Sequence, residues 1–246
     1  MSITVSHKLK SWYFDWVYLP SYDYTVTKLS PYQSLHRNSL DYMSMSEGAS
    51  ALVIGVGPGQ DVVNLRLRNK DKSFSVSAID LSRQGLMRTK RKAARVNQGV
   101  DTLQMDAQHL SFGDGRFDRV LSLHTMDFLE DIEGATGEIM RVLKKNGEFV
   151  VSYPAGRGSA MLASSTGNSI AKKISGGHFL MALQETFAGI GAALVYFPLA
   201  FTVKPQGGFY SRASLEQLIA KLGLAEYTII EDKVYQDLIV WGRKKS

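Results

Sequence analysis

Residues 50–68 read SALVIGVGPGQDVVNLRLR, and the break in that run at Gly55-Val56-Gly57-Pro58-Gly59 decides how the chain folds. Ala51 to Ile54 is short and wholly apolar, as a strand covered on both faces must be. From Asp61 to Leu67 the apolar residues return at helical spacing. Glycines between them permit positive φ and a close backbone approach, and the helix start presents unpaired N–H groups. Such a strand–turn–helix unit suits a nucleotide, and the spacing narrows which one. A dinucleotide fingerprint wants its third glycine where Gln60 stands, one residue beyond Gly59, so a pyrophosphate cradle is disfavoured. No Gly-Lys-Ser/Thr follows, so a triphosphate-binding P-loop is excluded as well.

Outward from that turn, strand and helix patterns alternate. Phe74 to Ile79 predicts a second strand ending on Asp80, and Ser82 to Asn97 a helix capped by Ser82. Thr102 to Met105 and Arg119 to Leu123 predict two more strands, the second after the turn Gly113-Asp114-Gly115. A helix from Ile132 to Leu143, a turn at Asn146-Gly147 and a strand from Glu148 to Tyr153 follow. Further on, Ser214 to Leu222 predicts a helix with Ser214 as N-cap and Gly223 just past its end. Tyr227 to Glu231 and Leu238 to Trp241 predict an antiparallel hairpin. The fold expected is α/β, a Rossmann-like doubly wound sheet of seven strands, mostly parallel. One domain of 246 residues is expected, divided into an aromatic-rich helical lid (1–47, with a helix from Leu35 to Met45), a core (48–153), a lid insertion (154–208) and a C-terminal helix and hairpin (209–246).

Ligands of such sheets lie beyond the carboxyl ends of the strands. Asp80, about 20 residues after the glycines, can accept hydrogen bonds from both hydroxyls of a ribose. Asp106, ending the third strand before Ala107, can meet the edge of an adenine. Glycines, a ribose acid and an adenine acid at successive strand ends describe an adenosine without a pyrophosphate.

The stretch Met105-Asp-Ala-Gln-His-Leu-Ser-Phe-Gly-Asp-Gly-Arg-Phe-Asp118 resembles the Asp-Ala-x-x-Leu-Pro-Phe-x-Asp-x-x-Phe-Asp segment of class I S-adenosylmethionine-dependent methyltransferases, in particular the small-molecule enzymes of the ubiquinone and menaquinone type. The glycine turn, Asp80 and Glu138-Ile-Met-Arg-Val-Leu-Lys-Lys-Asn-Gly147 resemble further signatures of that family, in order. The resemblance runs from Tyr42 to Tyr153 and loosely over the C-terminal hairpin. It implies S-adenosylmethionine as cofactor and S-adenosylhomocysteine as product. By the same resemblance Gly55, Gly57 and Gly59 line the methionine part, Asp80 and Leu81 hold the ribose, Asp106 and Ala107 face the adenine, and His124 lies near the sulfonium. Val53 departs from the family, standing where many members carry an acid, and Lys145-Asn146-Gly147 replaces a Pro-Gly-Gly turn.

Methyl transfer from a sulfonium attacks an already activated carbon, so orientation and exclusion of water carry most of the rate. His124 is the candidate base, because an imidazole titrates near neutrality. Asp127 would orient it. Tyr18, Tyr22, His178 and Tyr210 are the candidate acceptor contacts, and aromatics from Trp12 to Tyr24 with the apolar run Phe179 to Phe201 would wall a hydrophobic or polycyclic acceptor such as a quinone, porphyrin or lipid. No metal is expected, and the absence of cysteine excludes thiolate sites and disulfides.

The formal charge is +6, and basic residues crowd Arg66 to Arg95. They read as solvated helix faces or as a patch for an anionic membrane, RNA or an acidic partner. The end of the fourth strand, Leu123-His124-Thr125-Met126, lacks the Asn/Asp-Pro-Pro-aromatic signature of many base methylases, so nucleic acid is the weaker partner. An RNA or protein methyltransferase, a non-catalytic cofactor-binding protein and an oxidoreductase stand as alternatives. The start, Met1 to Lys8, has no apolar core for a signal peptide, and Thr186 to Val203 is marginal as a span. A cytoplasmic protein, with peripheral membrane contact allowed, is the expectation.

Overall fold

The computed structural model describes residues 14–96, 99–156, 159–202, 208–232 and 237–246. Trp12 and Tyr13 lie outside the described residues. The strands are β1 (Ser50–Ile54), β2 (Ser75–Asp80), β3 (Asp101–Gln104), β4 (Phe117–Ser122), β5 (Leu143–Pro154), β6 (Leu224–Asp232) and β7 (Asp237–Lys244). They form one seven-stranded sheet in the order β3-β2-β1-β4-β5-β7-β6. Pairing is parallel from β3 through β5, and β7 joins β5 and β6 antiparallel. The doubly wound, mostly parallel sheet expected from the alternating pattern is what forms.

Side-chain alternation along the strands divides the core into two layers. Leu52, Ile54, Phe149, Val151 and Tyr153 join Ile132, Ala135 and Ile139 of α5 (Ile132–Val142) and Leu215, Leu218 and Ile219 of α8 (Arg212–Ala220). On the other face, Ala51, Val53, Val76 and Val150 join Leu35 and Leu40 of α2 (Ser30–Leu40), Val62 and Leu65 of α3 (Gln60–Arg68) and Leu86 and Ala93 of α4 (Arg83–Arg95). β3, the edge strand, is largely exposed.

Over the second face lie a π-helical turn (Phe14–Tyr18), α1 (Leu19–Lys28) and a helical pair, α6 (Ser159–Ser175) and α7 (Phe179–Thr202). Segment 154–208, expected as a lid insertion, thus holds two long helices among its described residues. Their inner seam holds Leu29, Tyr32, Ala188 and Ala192. Glu185, fully buried there, accepts from the Ser30 amide (2.8 Å), the Ser169 hydroxyl (2.8 Å) and Lys173 (2.6 Å). Burial alone would raise its carboxyl, but these partners hold it below its ordinary value.

Several local expectations are corrected. The early helix is Ser30–Leu40 rather than Leu35 to Met45, since Pro31 suits a first turn and Asp41 closes the last. Ser211, not Ser214, caps α8: its side chain accepts from the Ser214 amide while the Ser214 hydroxyl accepts from the Ser211 amide. Asn146-Gly147 does not end an element but kinks β5, with Asn146 at φ 60°. The basic run is partly consumed by the fold. Buried Arg66 donates to the carbonyls of Phe74 (2.6 Å) and Gly99 (2.9 Å), and Arg88 and Lys92 both reach Asp23. Lys90, Arg91 and Arg95 are exposed.

Gly59 caps α3 at φ 85°, and a Cβ there would sit 2.7 Å from the Thr89 Cα. Gly48, at φ 71°, has open space at the same place. Gly59→Ala should cost about 3 kcal/mol, backbone strain plus overlap, and Gly48→Ala about 1 kcal/mol, strain alone. Urea unfolding of both variants measures the difference.

Candidate functional site

At the carboxyl ends of β1, β2 and β4, where the chain reverses direction across the sheet, a cavity of about 410 Å³ opens. Gly55, Gly57, Asp80, Leu81, Asp106, Ala107, His124, Tyr18 and Tyr22 all line it. Asp15, Leu19, Ser82, Met105, Thr125, Phe128 and Leu129 line it too, although the sequence pattern pointed to none of them as a site residue.

The polar end is built on Asp80. Its two carboxylate oxygens accept from the Gly57 amide (2.7 Å) and the Ser82 amide (2.8 Å), so the end of β2 holds the glycine turn and the start of α4 together. Burial pushes the Asp80 carboxyl up, the two amides pull it back, and the balance stays above its usual range. The Ser82 hydroxyl accepts from the Gly85 amide (3.0 Å) as the α4 cap and donates to Asp15 at 2.5 Å. That bond carries the N-terminal turn to the cavity wall. Gly57 adds a second tie: its carbonyl accepts from the Thr89 hydroxyl at 3.0 Å.

Gly59 does not line the cavity; it is needed where α3 crosses α4 at Thr89. Asp106 accepts from the Gln108 amide at 2.9 Å and closes the turn after β3. Behind it, Arg141 of α5 donates to the carbonyls of Leu110 and Phe112 (both 2.7 Å) and to Glu138, whose carboxylate accepts from the Leu110 amide (2.8 Å). The two signature segments thus bind each other.

The other end is aromatic and charged. Tyr18 stacks on Tyr22 at 5.7 Å and meets Phe128 edge-on at 6.2 Å, and Tyr22 meets Tyr32 edge-on at 5.8 Å. His124, at φ 53°, lies beside Tyr32 and His36, with ring centroids 6.1 and 5.9 Å away. Its Nδ1 is 3.2 Å from the buried carboxylate of Asp237, the first residue of β7. Burial alone would lower the imidazole, but Asp237, with Asp127 and Asp61 farther off, lifts it to about 9. Asp237 thus favours the charged imidazolium, a hydrogen-bond donor, over the neutral imidazole that a general base requires.

Asp127 belongs to the same group rather than to the cavity lining. Burial and the Asp237 charge raise its carboxyl, and His124 draws it back. Donor atoms of His124, Asp127 and Asp237 lie within 4.8 Å of one another, a grouping with the composition of a cation site. Sequence spacing could not show it, because Asp237 comes from the far end of the chain.

Two candidate acceptor contacts are not brought to the cavity. His178 is exposed at the turn between α6 and α7. Tyr210 packs edge-on against Tyr153 at 5.7 Å, and its amide donates to the Pro154 carbonyl at 2.8 Å, which makes it part of the core under α8.

Residues 52–151 match a family model described as a methyltransferase domain. Over 144 residues the chain is 31% identical to a phosphatidylethanolamine N-methyltransferase of Cereibacter sphaeroides, covering 58% of this chain and 67% of that protein. It is 30% identical over 99 residues to a malonyl-[acyl-carrier protein] O-methyltransferase of Geobacter sulfurreducens, covering 40% of this chain and 37% of the other. In fold it resembles the magnesium protoporphyrin IX methyltransferase of Synechocystis PCC 6803 solved with bound SAH, at a TM-score of 0.63 and 13% identity, over 97% of this chain and 100% of that one.

Because His124 is raised above its ordinary 6.5 to about 9, its pair with Asp237 contributes full stability below pH 6.5 and loses it as pH rises through 9. Histidine-ring NMR should show this titration near pH 9 in the wild type and below 7 in Asp237→Asn. Coinciding midpoints would mean that the pair does not govern the imidazole.

Proposed function

The chain belongs to the class I S-adenosylmethionine-dependent methyltransferases, and we propose that it methylates a hydrophobic small molecule or lipid. The observation that carries the reading is the set of aromatic and aliphatic side chains, Tyr18, Leu19, Tyr22, Leu123, Phe128 and Leu129, that line the cavity together with His124. The lipid-directed name of the Cereibacter sphaeroides relative supports it. A hydrophobic lining with few convergent polar groups suits an apolar ligand held in one orientation.

The residues present fit the cofactor. Asp80 offers carboxylate lone pairs beyond those its two amides occupy, suited to ribose hydroxyls. Ala107, Leu81 and Met105 flank Asp106 where a flat adenine would lie. A Cβ at Gly57 would meet only Leu19, at 4.0 Å, so the turn leaves room for the methionine tail beside Gly57. When bound, S-adenosylmethionine supplies an electrophilic methyl group.

The chain's own residues orient and exclude water. Tyr18, Tyr22 and Phe128 close the mouth over the acceptor, and the His124 imidazolium, neutralised by Asp237, donates a hydrogen bond to the acceptor's polar group. Acceptor protons leave to solvent or to a carboxylate rather than to His124. Ordering of the nucleophile then sets the rate.

Labelled methyl groups from S-adenosylmethionine should pass into the organic-extractable fraction of a lipid and pigment extract. Label confined to RNA or protein, or cofactor binding without release of S-adenosylhomocysteine, would overturn the reading. Asp80→Ala should weaken cofactor binding roughly 10- to 100-fold by calorimetry, for the loss of charge-assisted bonds. His124→Ala should lower kcat about 100-fold while leaving cofactor affinity near the wild-type value. With a good substrate, kcat should stay level from pH 6.5 to 8.5 and fall above about 9, as His124 loses its proton. A rise through pH 6.5 would restore a neutral-base mechanism.

A further inference from the structure

Helix α7 is apolar on both of its sides. Its inner side, with Ala182, Glu185, Ala188 and Ala192, is buried against α1, α2 and α6. On the opposite side, at helical spacing, stand Phe179, Leu180, Leu183, Phe187, Ile190 and Leu194, each between 53% and 77% exposed. A solvated helix carries polar residues along such a stripe. This one carries none, and exposed apolar patches of that size mark interaction surfaces.

Charge says what covers it. Between Gly158 and Thr202 the charged side chains are Lys172, Lys173 and Glu185. Glu185 is turned inward and bound by Lys173, so the pair shows no acid to the outside. Lys172 is exposed near the tip of the helical pair, as are Ile174, His178, Phe179 and Leu180. An apolar stripe with a cationic end and no exposed acid is complementary to acyl chains under anionic headgroups. Among the described residues no helix is long and apolar enough to cross a membrane, so α7 would lie in the interface.

On its inner side α7 also backs the wall of the cavity. Tyr22, which lines the cavity, packs against the seam between α7 and α2, and the π-helical turn carrying Tyr18 and the exposed Trp16 touches α7.

We propose that the outer face of α7 docks the protein on an anionic lipid bilayer, with Lys172 at the headgroups, so that an apolar acceptor reaches the cavity from the membrane. This goes beyond the acceptor reading, and docking is measured without methyl transfer, so either can fail alone.

The test is co-sedimentation of the full chain with vesicles of phosphatidylcholine alone or with one-third phosphatidylglycerol. Wild type should pellet with the mixed vesicles, and Leu183→Gln/Phe187→Gln/Ile190→Gln should bind them about tenfold or more weakly. Lys172→Glu should lose the gain that phosphatidylglycerol confers. An unchanged cofactor-induced thermal shift shows that the variants are folded. Hydrogen exchange on the wild type needs no variant: residues 179–194 should be protected when vesicles are added. Wild type left in the supernatant, or a triple variant that binds like wild type, overturns the proposal. So does a wild-type dimer, seen by light scattering, that the triple substitution splits while vesicles are ignored; the face would then join two copies of the chain.

Discussion

The clamp on Gly57 is the constraint from which the site follows. Its amide is held by Asp80 at the end of β2, its carbonyl by Thr89 of α4, and a Cβ on Gly85 would come within 2.9 Å of that carbonyl. The glycine turn after β1, the end of β2 and α4 therefore meet at a distance that a glycine at position 85 allows. Once they meet there, the start of α4 and its Ser82 cap face the cavity, and Asp15 brings the N-terminal turn down as its wall. Gly85 was not singled out in the sequence because a glycine inside a helical pattern shows no sign of what it packs against.

The charge at the aromatic end depends on a different kind of contact. His124 and Asp127 are close in sequence and would be read as a base with its orienting acid. Asp237, brought beside them by the antiparallel pairing of β7 with β5, lies 3.2 Å from the His124 ring. A buried imidazole without a counter-charge is pushed towards its neutral form; a carboxylate beside it favours the charged one. An imidazolium would orient an acceptor by donating a hydrogen bond, without accepting its proton. Methyl transfer tolerates this, because the electrophile is already activated and the main demand is alignment.

Legibility followed the range of the contacts. Strand β1 was readable because Ala51 to Ile54 are buried on both faces and show as an apolar run, and β2 and β4 because their buried residues, Val76, Ala78 and Ile79 or Val120 and Leu121, stand between turns. The segment from Met105 to Asp118 and the helix carrying Glu138 and Arg141 were readable as signatures because they are bonded to each other, so neither can vary alone. Less was visible in segment 154–208: α7 is apolar nearly all round, which by itself fits a core helix, a span or an interface. Only its packing against α1 and α2 separates an inner side from an outer one.

By itself the sequence determined the α/β class, the strand–turn–helix unit around the glycines and the placing of Asp80 and Asp106 after successive strands, because these rest on local backbone geometry and burial periodicity. The tertiary structure alone decided that Gly59 serves packing, that Tyr210 and His178 stand away from the cavity, that Asp15 and Phe128 wall it, and that His124 lies beside Asp237. Each of those turns on groups far apart in the chain, whose distance and shared low-dielectric surroundings exist only after folding.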